Sequence, residues 1–169
     1  MSTPIDPARL RPSRIWKRLS DDRRRTAALA FWADTESRNE QAQAVAAIAQ
    51  QKKFRPKSVA ALPVERKAQF LASLPALSEP LAARALVAYH LQAQRPMMST
   101  FLDALGIAHE EGAIVDEAVA APDPARLTAA AKALAAGFPH EDVGIYLSTL
   151  VCQDPTVWAG LLDCPEIDG

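Results

Sequence analysis

Residues 81–107 read LAARALVAYHLQAQRPMMSTFLDALGI, the densest run of large apolar side chains in the chain. Leu81, Ala85, Ala88 and Leu91 recur at i, i+4, i+7 and i+10, with Leu86, Val87 and Tyr89 on the flanks. That is the period of an α-helix with a wide apolar face, so the spacing predicts a largely buried helix. Ser78 is placed to cap it, and Glu79 and Pro80 suit a first turn, where a carboxylate meets the helix dipole and a missing N–H costs little. Pro96 disfavours helical geometry at Arg95 and marks the end. A second helix then carries Met97, Phe101, Leu102 and Leu105. Gly106 can take a left-handed C-terminal cap, with Ile107 placed to pack back on Leu102. The short Gln94-Arg95-Pro96 connection predicts that the two helices fold back on each other as a hairpin.

Working outward, most joints carry proline, glycine or a capping side chain. Residues 1–12 contain Pro4, Pro7 and Pro12 without an apolar period and read as a mobile arm. Ile15, Trp16 and Leu19 predict a short docked turn. Ser20 caps a helix opened by Asp21 and Asp22, with Ala28, Leu29, Phe31 and Trp32 inward. A helix over about 36–53 presents Ala42, Val45, Ile48 and Ala49. Pro56 and Ser58 open a short one, and Pro63 opens another carrying Val64, Ala68, Leu71 and Leu74. The segment 107–121 is ambiguous: Ile114, Val115, Ala118 and Val119 can line a helix, but Gly112 opposes it. Asp123-Pro124 starts a helix that ends at Gly137. Val143, Tyr146, Leu147, Leu150 and Val151 define the next. Asp154-Pro155 begins a last short one with Trp158, Leu161 and Leu162, and the tail 165–169 reads as loose.

Alanine is abundant, β-branched and aromatic residues are sparse, and no convincing alternation of strand type appears. The 169 residues, 49% hydrophobic and 23% charged, suit one globular domain rather than a disordered chain. The expectation is therefore an all-α fold: an irregular bundle or short stack of about eight to ten helices built from hairpins. It occupies 13–164 as a single domain, with 13–67 and 68–164 as basic and acidic sub-units.

An internal echo points to a repeat. Gln94-Arg95-Pro96 followed by Phe101-Leu102-Asp103 resembles Gln153-Asp154-Pro155 followed by Leu161-Leu162-Asp163, an offset of 59 to 60 residues. Stacked hairpins would produce this, and so would chance likeness among Ala/Leu-rich helices.

Charge is the clearest asymmetry. Residues 1–67 hold 15 Lys/Arg against 7 Asp/Glu, and residues 68–169 hold 4 against 13. The candidate anion- or partner-binding residues are Arg14, Lys17, Arg18, Arg23, Arg24 and Arg25, with Trp16 among them, then Lys52, Lys53, Arg55 and Lys57 around Phe54. Such clusters suit an acidic protein partner or nucleic acid. A net charge of −1 gives no global attraction to a polyanion.

A second, weaker polar set is His90, His109, Glu110, Glu111, His140 and Glu141. It lacks the paired spacing of a helical zinc site, and acids at a helix start simply answer the dipole. Neither a Gly-x-Ser-x-Gly elbow nor a phosphate-cradling glycine loop is present, so no catalytic residue, metal or cofactor is expected. Cys152 and Cys164 make no disulfide framework, and thiols in a reducing compartment are the expectation. No stretch reaches the ~18 apolar residues of a membrane span and the N-terminus lacks a signal peptide's apolar core, so a cytoplasmic location is expected. Function is expected to be non-enzymatic: an interaction or structural module that binds a protein partner or itself. Nucleic-acid binding through the basic N-terminal helices is the alternative, and an enzyme with a site near His109 and His140 the third.

Overall fold

A computed structural model describes residues 6–168, and the N-terminal part of the expected arm, residues 1–5, lies outside them. The described residues form ten α-helices: α1 (Pro12–Arg18), α2 (Asp21–Ala33), α3 (Arg38–Lys52), α4 (Pro56–Ala60), α5 (Val64–Ser73), α6 (Glu79–Ala93), α7 (Arg95–Leu105), α8 (Pro124–Gly137), α9 (His140–Gln153) and α10 (Pro155–Trp158). The described residues are all-α apart from one small ribbon of two strands, β1 (His109–Glu110) and β2 (Ala113–Ile114). Its packing gathers into two compact units, Pro12–Ala93 and a second made of Gln94–Gly169 with the segment through Arg11.

In the Pro12–Ala93 unit, α2 packs on α5 and α6, and α6 also receives α1 and α3. Ser20 caps α2 as its sequence requires, its hydroxyl accepting from the Arg23 N–H at 3.3 Å. Ala27, Ala28 and Ala30 are buried beside Phe31, so small side chains let α2 lie close to its neighbours. Ile15, Trp16, Ile48, Leu71, Leu81 and Leu86 complete this core. The C-terminal carbonyls of α2 are tied down by Gln41, whose amide donates to Phe31 O at 2.9 Å and to Asp34 O at 2.8 Å.

In the other unit α9 is the central helix, buried at every position from Asp142 to Val151. A helix apolar nearly all round has no solvent face to offer, so it is enclosed. Around it lie α8, α10 and three 3-10 turns, over Pro7–Leu10, Ala159–Asp163 and Pro165–Asp168, while α7 packs on α8. The arm and the tail are thus partly built in: Leu10 and Ile167 are buried, and the Ile167 carbonyl accepts from Ser148 Oγ at 3.4 Å.

Three readings of the sequence change. The helices of 81–107, read as one hairpin, fall in different units, which divide at Gln94; α6 packs on α1, α2 and α3 of its own unit and α7 on α8 of the other. The segment after Gly106 is a β-hairpin rather than a helix. Its two-residue loop has Glu111 at φ 50° and Gly112 at φ 92°, the positive pair that a tight hairpin turn demands. The repeat is not confirmed: α7 runs for 11 residues from Arg95, whereas α10 stops 4 residues from its start at Pro155 and passes into a 3-10 turn. Gly106 does cap α7 at φ 67°, with Ile107 N–H donating to Leu102 O at 3.0 Å. Gly137, by contrast, is the last helical residue of α8 and has no positive φ.

Tyr146 sits in α9 against Phe101, ring centroids 5.7 Å apart and nearly perpendicular. Burial pushes its hydroxyl well above the ordinary value near 10. The folded chain therefore keeps a proton that the unfolded chain releases above that pH. This stabilisation is complete below about pH 10 and is lost at higher pH, by up to about 1.4 kcal/mol per pH unit. Urea midpoints across that range should fall more steeply for the wild type than for Tyr146→Phe. Parallel curves would refute the assignment.

Candidate docking surface

All ten candidate cations belong to the Pro12–Ala93 unit, in two local settings. Arg14, Lys17 and Arg18 stand exposed on α1, whose Trp16 is turned into the core. On α2, Arg23 and Arg24 are half-buried and engaged. Arg23 donates to Ser20 Oγ at 3.3 Å and Arg24 pairs with Asp21, while Arg25 is exposed. The second group differs. Every residue from Gln50 to Ser58 is exposed, and among the described residues no ion pair involves Lys52, Lys53, Arg55 or Lys57.

The backbone explains that exposure. Lys53 ends α3 in the left-handed region, φ 57°, where glycine or asparagine is usual. Its N–H and that of Phe54 both bond to the Ala49 carbonyl, which closes α3 and leaves Lys53, Phe54 and Arg55 outside any helix. Pro56 then opens α4, and Val59 anchors α4 in the core.

Phe54 is 47% exposed. Its ring meets Phe70 edge-on at 6.0 Å, and Phe70 lies under Lys52 Nζ at 5.4 Å and under the Arg66 guanidinium at 4.8 Å. Lys67 Nζ stands 4.8 Å over Trp32. Cations beside ring faces interact with the ring quadrupole and keep their charge available to a partner. Arg66, Lys67 and Phe70 were not among the residues singled out from sequence, and Trp32 was read only as part of the inward face of α2. The only signal for Phe54 was its place inside Lys-Lys-Phe-Arg-Pro-Lys.

Two shallow grooves lie on the same unit. One, of about 490 Å³, is lined by Ala47, Gln50, Gln51, Leu74, Pro75 and Ala76, next to the Phe54 corner along α3. The other, of about 390 Å³, lies among Thr26, Leu29, Ala30, Ala33, Val64, Gln92 and Ala93. Neither lining holds a titratable side chain, so neither offers a general acid or base.

The polar candidates are scattered. His90 is buried in α6, its Nδ1 2.8 Å from Leu86 O. His109 is used twice: Nδ1 accepts the Gly112 N–H at 3.0 Å, which leaves Nε2–H to donate to Asp103 Oδ1 at 2.6 Å. Glu111 pairs with Arg95 at 3.3 Å, and Glu110 is exposed. His140 and Glu141 lie exposed in the first turn of α9. Among the described residues no three of His, Cys, Asp and Glu stand where they could hold a metal ion. Cys152 and Cys164 are not joined, and burial pushes the Cys164 thiol up, away from the reactive thiolate.

Among the described residues no helix is long and apolar enough to cross a membrane. No family model, curated protein or solved structure compared with the chain matches it.

Proposed function

We propose that the chain is a non-enzymatic interaction module and that its Pro12–Ala93 unit docks an acidic protein surface at the Phe54 corner. The observation that carries this reading is a half-exposed phenylalanine framed by Lys52, Lys53, Arg55 and Lys57, none of them held by an acid among the described residues. Aromatic rings and arginines are the groups that most often supply interface energy, and covering the ring recovers apolar burial now forgone. Cations left unpaired in the unit itself select a partner of opposite sign.

The same features favour a second reading, single-stranded nucleic acid stacking on Phe54 with phosphates on the lysines. The net charge of −1 counts against it. Arg23 and Arg24 are the weaker part of the basic set for either partner, since Ser20 and Asp21 already occupy them. An enzyme centred on His109 finds less support, because one of its ring nitrogens serves the hairpin turn and the other is bonded to Asp103 of α7.

Fluorescence anisotropy with labelled polyglutamate and with an oligothymidylate of equal charge separates the readings. Polyglutamate is expected to bind more tightly, and Phe54→Ala or Lys53→Glu/Arg55→Glu to weaken it about tenfold. Tighter binding of the oligothymidylate, with the same variants weakening it, assigns the corner to nucleic acid. Binding of neither removes the docking reading.

A further inference from the structure

The two units carry opposite charge. Pro12–Ala93 holds 14 Lys/Arg against 7 Asp/Glu, a net +7; the remainder holds 5 against 13, a net −8. The most exposed large hydrophobic residue described on each unit sits beside charges of that unit's own sign. On the basic unit it is Phe54, between Lys53 and Arg55. On the acidic unit it is Val115, 54% exposed, followed by the exposed Asp116 and Glu117 and close in sequence to Glu110 and Glu111. Val115 leaves the β-hairpin through one bond, its N–H to Ala108 O at 3.4 Å, and the residues beyond it up to Asp123 form neither helix nor strand. The acidic segment is therefore presented outside any helix or strand, turning at Glu117, with an apolar side chain at its base.

We infer that the acidic surface taken by the Phe54 corner is the Val115–Glu117 segment of a second copy of this chain. This rests on the docking reading above and names its partner. Val115 covers the ring, Asp116 and Glu117 meet Lys53 and Arg55, and Lys52 and Lys57 extend the complement. A chain of net charge −1 has almost no monopole repulsion between copies, so the oriented attraction of unlike units is not opposed at long range. The contact joins unlike surfaces, so each pairing leaves one corner and one acidic segment open, and assembly runs past the dimer as concentration rises.

Sedimentation of the full chain at about 20 mM salt should show a mass that climbs with concentration. At about 500 mM salt, where the screening length has shrunk to roughly 4 Å, the chain should be monomeric. Two variants make the test specific. Lys53→Glu/Arg55→Glu loses the basic surface and keeps the acidic one, and Asp116→Lys/Glu117→Lys does the reverse. Each alone should stay monomeric, while their mixture should form one-to-one dimers and go no further, which also shows that both variants fold. The inference fails if the wild type remains monomeric near ~1 mM, where even weak pairing is half complete. It fails equally if either variant assembles like the wild type, or if the mixture stays monomeric. Polyglutamate titration keeps the two readings apart. A monomeric chain that binds polyglutamate at Phe54 retains the docking corner and loses the second copy as its partner; one that does neither loses both.

Discussion

Phe101→Ala is expected to lower the stability of the Gln94–Gly169 unit by about 3–5 kcal/mol. Phe101 is fully buried on α7, between Tyr146 at 5.7 Å and Trp158 at 6.0 Å. Truncation removes the transfer energy of the ring, opens a cavity, and deletes two ring contacts worth about 0.5–1.5 kcal/mol each beyond their area. The site cannot readily collapse: α9 is enclosed on every side, and Met97 and Leu102, the near neighbours of Phe101 along α7, are themselves fully buried. Phe101→Leu keeps much of the volume and should cost about 1–2 kcal/mol. Urea unfolding gives the size of the loss, and hydrogen exchange at the amides of α7 and α9 gives its place. A loss under about 1 kcal/mol, or exchange unchanged in those helices, would mean that the ring trio does not organise this core.

The helices were legible because their ends carry chemistry. Ser20, Asp123 and Asp154 each accept a first-turn N–H from the residue three positions on, and Gly106 closes α7, all signals local to a few residues. What each helix packs against is not local. The face of Leu81, Ala85 and Ala88 is served by any apolar partner, and within its unit α6 takes α1, α2 and α3, all of them earlier in the chain. The β-hairpin has two-residue strands, too short for alternation to register, and only the positive-φ demand at Glu111-Gly112 gives it away. The echo between Pro96 and Pro155 captured two true helix starts but could not say how far each helix runs.

The candidate surface was half legible for a related reason. Composition displays every cation, but not which ones already have partners. Arg24 is held by Asp21 three residues earlier, and Arg84 meets Asp34 at 3.6 Å across the fold, whereas Lys53 and Arg55 follow a helix end with no acid in reach. The three tryptophans are no guide to the surface: Trp16 and Trp158 are buried and Lys67 covers Trp32. Phe54 is exposed because Lys53 ends α3 one residue before it, a backbone event at a residue type that rarely adopts that conformation.

Gly112→Ala should cost about 2–4 kcal/mol, the other large effect, and here the cause is backbone. At φ 92° an L side chain is strained by about 1–3 kcal/mol. The added Cβ would also meet Met98 Cβ at 2.7 Å, an atom fixed to the buried α7 rather than a movable tip, with Arg95 O at 3.4 Å behind it. Relief requires moving the turn off α7. That strains the bond from Gly112 N–H to His109 Nδ1 and, through His109, the one to Asp103. Gly137→Ala is the control: no atom lies within 4 Å of its added Cβ and its φ is not positive, so the change should be neutral or stabilising by up to about 1 kcal/mol. Thermal or urea unfolding of the pair measures the contrast, and equal stability of the two variants would show that the turn tolerates a side chain. The turn also sets where β2 ends and the acidic segment begins. Gly112→Ala should therefore weaken self-association at low salt while leaving polyglutamate binding at Phe54 unchanged, a split that a general loss of folding would not produce.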